Sequence, residues 1–107
     1  MPLSLKDCQK YKEMGMNQLP MQANYRDGSG ATVKIPTLEE QIKFAVEMAK
    51  EISNPKVESI CLDVNLDGSC DAYLSYENFS GEVNEDKSDP QQAVFKLTEY
   101  MWGNRNE

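Results

Sequence analysis

The stretch Ile60–Tyr76, ICLDVNLDGSCDAYLSY, alternates apolar and polar residues on both sides of Asp67-Gly68-Ser69. Period-two alternation around a turn signal predicts two half-buried strands folded back on each other. Centring the fold-back on Gly68 sets Val64 against Ala72, Leu62 against Leu74 and Ile60 against Tyr76, all apolar and on one face. The other face then pairs Asp63 with Tyr73, Cys61 with Ser75 and Ser59 with Glu77. A two-residue turn at Asp67-Gly68 would instead oppose Val64 to Asp71 and Ile60 to Ser75. Since a one-residue slip moves a strand's apolar set to the wrong face, an odd loop length is preferred. Earlier in the chain, MQANYRDGSGATVKI predicts another hairpin centred on Gly28, with Tyr25 facing Ala31, Ala23 facing Val33 and Met21 facing Ile35.

Three segments change to the helical period. Leu5–Met14 follows Ser4, with Asp7 placed for an N-terminal cap and Gly15 for a stop. Leu5, Cys8 and Tyr11 are its expected core side, and Lys6, Lys10 and Lys12 its wet side. Thr37–Ile52 begins with the capping box Thr37/Glu40 and carries the stripe Leu38, Ile42, Ala45, Ala49 and Ile52, with Gln41 and Met48 at its edge. Asp89 caps a last helix that has Pro90 at its first position and the stripe Ala93, Val94, Leu97, Tyr100 and Met101. Phe95 and Trp102 fall off that stripe; they suit a second buried edge, or alternatively an exposed aromatic interface patch. Asn78–Lys87 is a polar loop with a possible strand extension at Phe79. The predicted order is α-ββ-α-ββ-α in one α+β domain spanning residues 1–107: two β-hairpins form a mainly antiparallel four-stranded sheet, packed by the two longer helices, with a short N-terminal helix. The face of that sheet away from the helices is the natural place for a binding surface.

Two glycine-containing motifs bear on chemistry. Asp63, Asn65, Asp67, Gly68 and Asp71 stand at positions 1, 3, 5, 6 and 9 of the calcium-loop pattern, so the stretch resembles the loops of EF-hands and dockerins. That resemblance implies Asp63, Asn65 and Asp67 as ligands. Position 12, however, is Leu74 where the pattern needs a carboxylate, and the flanks alternate at period two rather than reading as helices. A hairpin is therefore the stronger expectation, with Asp67 and Gly68 as turn residues. The DGS at residues 27–29 repeats at 67–69, but the apolar positions around the two are out of phase by one residue. Shared turn chemistry explains this better than duplication. DGSG lacks the Gly-Lys-Ser/Thr of a phosphate loop, and Asp27 would repel a phosphate.

Charge placement changes the picture most. The chain carries a net charge of −7, yet residues 58–89 alone carry nine acids against the single base Lys87. Direct nucleic-acid binding is not expected, because phosphate contacts need a basic footprint. A basic protein surface, such as that of a nucleic-acid-binding protein, is the expected partner. The candidate partner-binding residues are Asp63, Asp67, Asp71, Tyr73, Glu77, Glu82, Glu85 and Asp86, with solubility as the competing explanation of the acids. In size and charge the chain looks like the small acidic α+β anti-CRISPR and anti-restriction proteins of phages and mobile elements, which implies an inhibitor that occupies a nucleic-acid channel; no family motif accompanies the likeness.

Other classes find less support. No apolar run approaches the length of a membrane span, and the N-terminus MPLSLKDCQKYKEMG has no signal-peptide core, so a cytoplasmic setting is expected. Cys8, Cys61 and Cys70 have no metal spacing and are expected as reduced, partly buried thiols. There is no histidine, which removes the commonest general base and transition-metal ligand. Cys61 and Cys70 have acidic surroundings that disfavour a thiolate nucleophile. The expectation is therefore an acidic protein-binding inhibitor or adaptor with no cofactor, no metal and no catalytic residues; the alternatives are a degenerate calcium-binding module at 63–74 and a small enzyme.

Overall fold

The structure, a computed structural model, describes residues 3–53, 56–77, 80–81 and 89–104. The chain runs α1 (Leu5–Glu13), β1 (Asn24–Arg26), β2 (Thr32–Lys34), α2 (Leu38–Ala49), β3 (Val57–Val64), β4 (Cys70–Tyr76), β5 (Ser80–Gly81) and α3 (Pro90–Asn104). The α+β class and the three helices follow the sequence pattern. The predicted helix starts also hold. Ser4 and Asp7 cap α1 reciprocally at 3.1 and 3.0 Å, and Thr37 and Glu40 do the same for α2 at 3.2 and 2.9 Å. The Asp89 carboxylate accepts the Gln91 and Gln92 amides at 3.0 and 3.2 Å, one residue ahead of Pro90.

The expected single four-stranded sheet is corrected. The two hairpins lie in separate antiparallel sheets, β1–β2 and β3–β4–β5. The free side of β2 is closed by a side chain instead of a strand: the Lys34 backbone N–H donates to Gln18 Oε1 at 2.9 Å. Tyr25 Oη donates to the Leu3 carbonyl at 2.6 Å, which ties the small hairpin to the chain before α1. With three-residue strands held this way, β1–β2 packs beside α1 rather than extending the larger sheet.

Both hairpins keep their predicted faces but fold back one residue from where the pattern centred them. Val64 pairs with Cys70, Leu62 with Ala72 and Ile60 with Leu74. In the first hairpin Tyr25 pairs with Val33, not Ala31. Moving the centre by one residue shifts the pairing by two, which leaves every side chain on its original face. The cause is the loop type. Gly68 N–H donates to the Asn65 carbonyl at 3.0 Å and Asn65 N–H to the Ser69 carbonyl at 2.8 Å, with Gly68 at φ +88°. This is a three-residue loop closed by a glycine in the left-handed region. The Asp27–Ala31 hairpin has the same form, with Gly30 in that role at φ +88°. The two DGS triplets therefore occupy different turn positions, as convergent chemistry predicts and duplication does not.

The core lies between the helices and one face of β3–β4. Cys70, Ala72 and Leu74 of β4 are fully buried against α3, and Ile60, Leu62 and Tyr76 pack around them. Tyr11 sits at the centre, edge-on to Phe95 and Phe44 at ring distances of 5.2 and 5.8 Å. Its hydroxyl accepts from Gln41 Nε2 at 2.7 Å, and that amide also donates to the Gln91 carbonyl at 3.0 Å. This network buries Gln41 from the stripe's edge; of the predicted stripe Leu38, Ala45, Ala49 and Ile52 reach the core, while Ile42 is 38% exposed. Phe95 is buried, as the second-edge expectation requires, whereas Tyr100, predicted for the core stripe, is exposed.

Candidate functional site

The helices cover only one face of the β3–β4–β5 sheet. The other face carries Ser59, Cys61 and Asp63 from β3 and Asp71, Tyr73 and Ser75 from β4, with Glu77 just beyond. Asp63, Ser59 and Glu77 are exposed there, and Asp71 and Tyr73 are partly exposed. A bulge between Val57 and Ser59 adds Glu58 to β3. It lets Val57 pack toward the core while Glu58 is turned out to solvent.

The predicted residues divide by location. Asp63 and Asp71 are brought directly opposite each other, whereas the sequence pattern opposed Asp63 to Tyr73. Tyr73 pairs instead with Cys61. Its phenol is pushed above the ordinary value by the negative charge of Asp63 first, then by Cys61. Tyr73 and Asp63 therefore act on each other as diagonal neighbours, with the phenol held neutral beside the carboxylate. Asp67 lies at the exposed tip, where Oδ1 accepts from the Ser69 N–H and hydroxyl at 2.9 and 2.6 Å. It shapes the turn as well as adding charge. Glu82, Glu85 and Asp86 lie outside the described residues.

Electrostatically the face is unbalanced. Lysines elsewhere sit beside their own acids: Lys43 with Glu39 at 3.1 Å, Lys50 with Glu47 at 3.0 Å, and buried Lys34 with Glu40. No described base is ion-paired with Asp63, Asp71 or Glu77. Like charges directly opposite on a sheet destabilise it, by roughly 0.2–1 kcal/mol for a pair. The face thus carries a small electrostatic cost in the isolated chain.

The stretch 63–74 is strand, turn and strand, not a loop between helices. Asn65, a ligand in the calcium pattern, has its amide donating to the Ser69 carbonyl and hydroxyl at 3.2 and 3.1 Å. Among the described residues no three Cys, Asp or Glu side chains gather closely enough to hold a metal ion. Burial pushes the Cys8 thiol up to about 11, with Asp7 adding to the shift, and burial followed by Asp71 and Asp89 also raises Cys70. Both thiols are held protonated at neutral pH. No described helix is long and apolar enough to cross a membrane.

One feature of this region was not legible in the residue pattern. The half-exposed Val46 of α2 borders a groove beside β3, where Val46, Ala49, Val57 and Ile60 form the apolar lining and Lys50, Glu58 and Ser59 the polar one. Val46 off the predicted stripe was the available signal. No protein-family model, curated protein or solved structure matches the chain.

Proposed function

We propose that the chain is a protein-binding inhibitor or adaptor that sets the open, acidic face of β3–β4 on a basic surface of another protein. One observation supports this above the others: Asp63 and Asp71 are paired on a sheet face that no described helix or strand covers, and no described base neutralises them. Solubility alone needs dispersed acids, not a like-charge pair that costs stability. Tyr73, between these carboxylates and Glu77, supplies the aromatic anchor an interface needs, with the acids as a steering rim. A protein that binds nucleic acid through a basic channel suits this charge, and occupying that channel would inhibit it. The free thiols of Cys8, Cys61 and Cys70 suit a reducing, cytoplasmic setting, which is part of the same proposal.

The test is affinity capture from a lysate of the encoding cells with three baits. The wild type and a Glu39→Lys/Glu47→Lys control should retain the same protein. The Asp63→Lys/Asp71→Lys/Glu77→Lys bait should lose it. Equal retention by all three baits would place the interface elsewhere. Asp67 is left intact because its carboxylate holds the turn.

A further inference from the structure

Among the described residues no strand lies beyond β3, so its outer edge is open. The Asn65–Ser69 hydrogen bond fixes which backbone groups lie on that edge. Bonded and non-bonded pairs alternate along an antiparallel ladder, which makes Asp63/Asp71 and Cys61/Tyr73 bonded pairs. The N–H and C=O groups of Ile60, Leu62 and Val64 consequently point outward, and the Glu58 bulge ends this regular run at its other end. On the helix side of the same edge lies a groove about 320 Å³ in volume, its apolar floor made by Val46, Ala49, Val57 and Ile60 and its polar rim by Lys50, Glu58 and Ser59. On the other side lie Asp63 and its neighbouring carboxylates.

A strand laid against β3, about 4.8 Å away, would therefore meet unlike surroundings on its two faces. Side chains on one face would enter the apolar groove, and those on the other would stand beside Asp63. We propose that the outer edge of β3 takes up an extended segment of a basic protein as an added strand, its apolar residues alternating with lysine or arginine. Backbone pairing would supply affinity and the alternating side chains selectivity. A second copy of this chain suits the edge poorly: antiparallel self-pairing would set the acidic face of one molecule beside the acidic face of the other, in molecules of net charge −7 each. The proposal rests on the basic-partner assignment above and adds how the partner is held.

The test is an NMR titration of the isotope-labelled chain with a peptide of alternating valine and lysine as long as β3. A second peptide carries N-methyl groups on the amides that would face β3; its side chains and charge are unchanged. The expected result is amide shifts and slowed exchange at Ile60, Leu62 and Val64, with the methylated peptide weaker by about tenfold or more. Equal binding of the two peptides would overturn strand addition while leaving the acidic-face proposal standing. Failure of both peptides to bind would also overturn strand addition, and the charge-reversal capture decides the acidic face independently. Concentration-dependent protection of the same amides without peptide would assign the edge to a second copy and likewise overturn the proposal.

Discussion

Glu40 connects three parts of the fold, and its removal should be resolvable into two effects. Oε1 accepts the Thr37 amide at 2.9 Å and completes the α2 cap, while Oε2 pairs with the Lys34 ammonium. The Lys34 side chain is only 4% exposed and that of Glu40 30%; the remaining Lys34 contact, to the Asn17 carbonyl, is 3.4 Å long. Glu40→Gln keeps an acceptor for the cap but removes the charge. Breaking a fully buried pair costs about 3–5 kcal/mol, and with Glu40 partly hydrated about 1–2 kcal/mol is expected here. Glu40→Ala also loses the cap arm and should cost about 3 kcal/mol in total. Lys34→Met removes the buried charge at similar volume and should stay within about 1 kcal/mol of wild type. Burial raises the Glu40 carboxyl, but Lys34 and the Thr37 cap outweigh it, so its folded pKa lies below the ordinary 4.5. A lowered folded pKa means the stabilisation is fully present above 4.5 and is lost as pH falls through the folded value. Urea unfolding at pH 7 and at lower pH measures this directly. The gap between wild type and Glu40→Gln should close as the solution is acidified below 4.5. A variant as stable as wild type at pH 7, or a gap unchanged in acid, would refute the coupling.

Leu74→Ala, at a fully buried position in β4, should cost about 2–5 kcal/mol by chemical denaturation. Asp63→Lys should stabilise the isolated chain by about 0.2–1 kcal/mol, because it replaces a like-charge pair with an attractive one opposite Asp71; a loss of stability would contradict the electrostatic account of this face. Calorimetry should find no calcium affinity tighter than about 10⁻⁴ M, since Leu74 stands where the loop pattern requires a carboxylate. Micromolar binding abolished by Asp63→Ala would refute that expectation.

Local signals in the residue order carried the helix starts, the existence of both turns and the face each strand presents. Ser4/Asp7, Thr37/Glu40 and Asp89-Pro90 act within one turn of helix, and alternation specifies a face whatever the register. The exact pairing was not legible because a shift of two preserves all faces; only the left-handed glycine fixed it. The separation of the sheets was hidden for a different reason. It depends on Gln18 capping the Lys34 amide from sixteen residues away. The depth of Gln41 was equally remote, since its amide is held by Tyr11 and by the Gln91 carbonyl. Composition showed that residues 58–89 are acidic, but not that Asp63 would face Asp71, nor that an apolar groove would border the same strand.

The central claim concerns the acidic face of β3–β4, and the most direct measurement is the association rate of the captured partner as salt varies. Raising salt from about 0.05 to about 0.5 M shortens the Debye length from about 14 to about 4 Å. For wild type the on-rate should fall by about tenfold or more while the off-rate changes little. Asp63→Lys/Asp71→Lys/Glu77→Lys should bind slowly at low salt, with no such decline, and Glu39→Lys/Glu47→Lys should follow wild type. A wild-type on-rate independent of salt and equal to that of the triple variant would contradict the account.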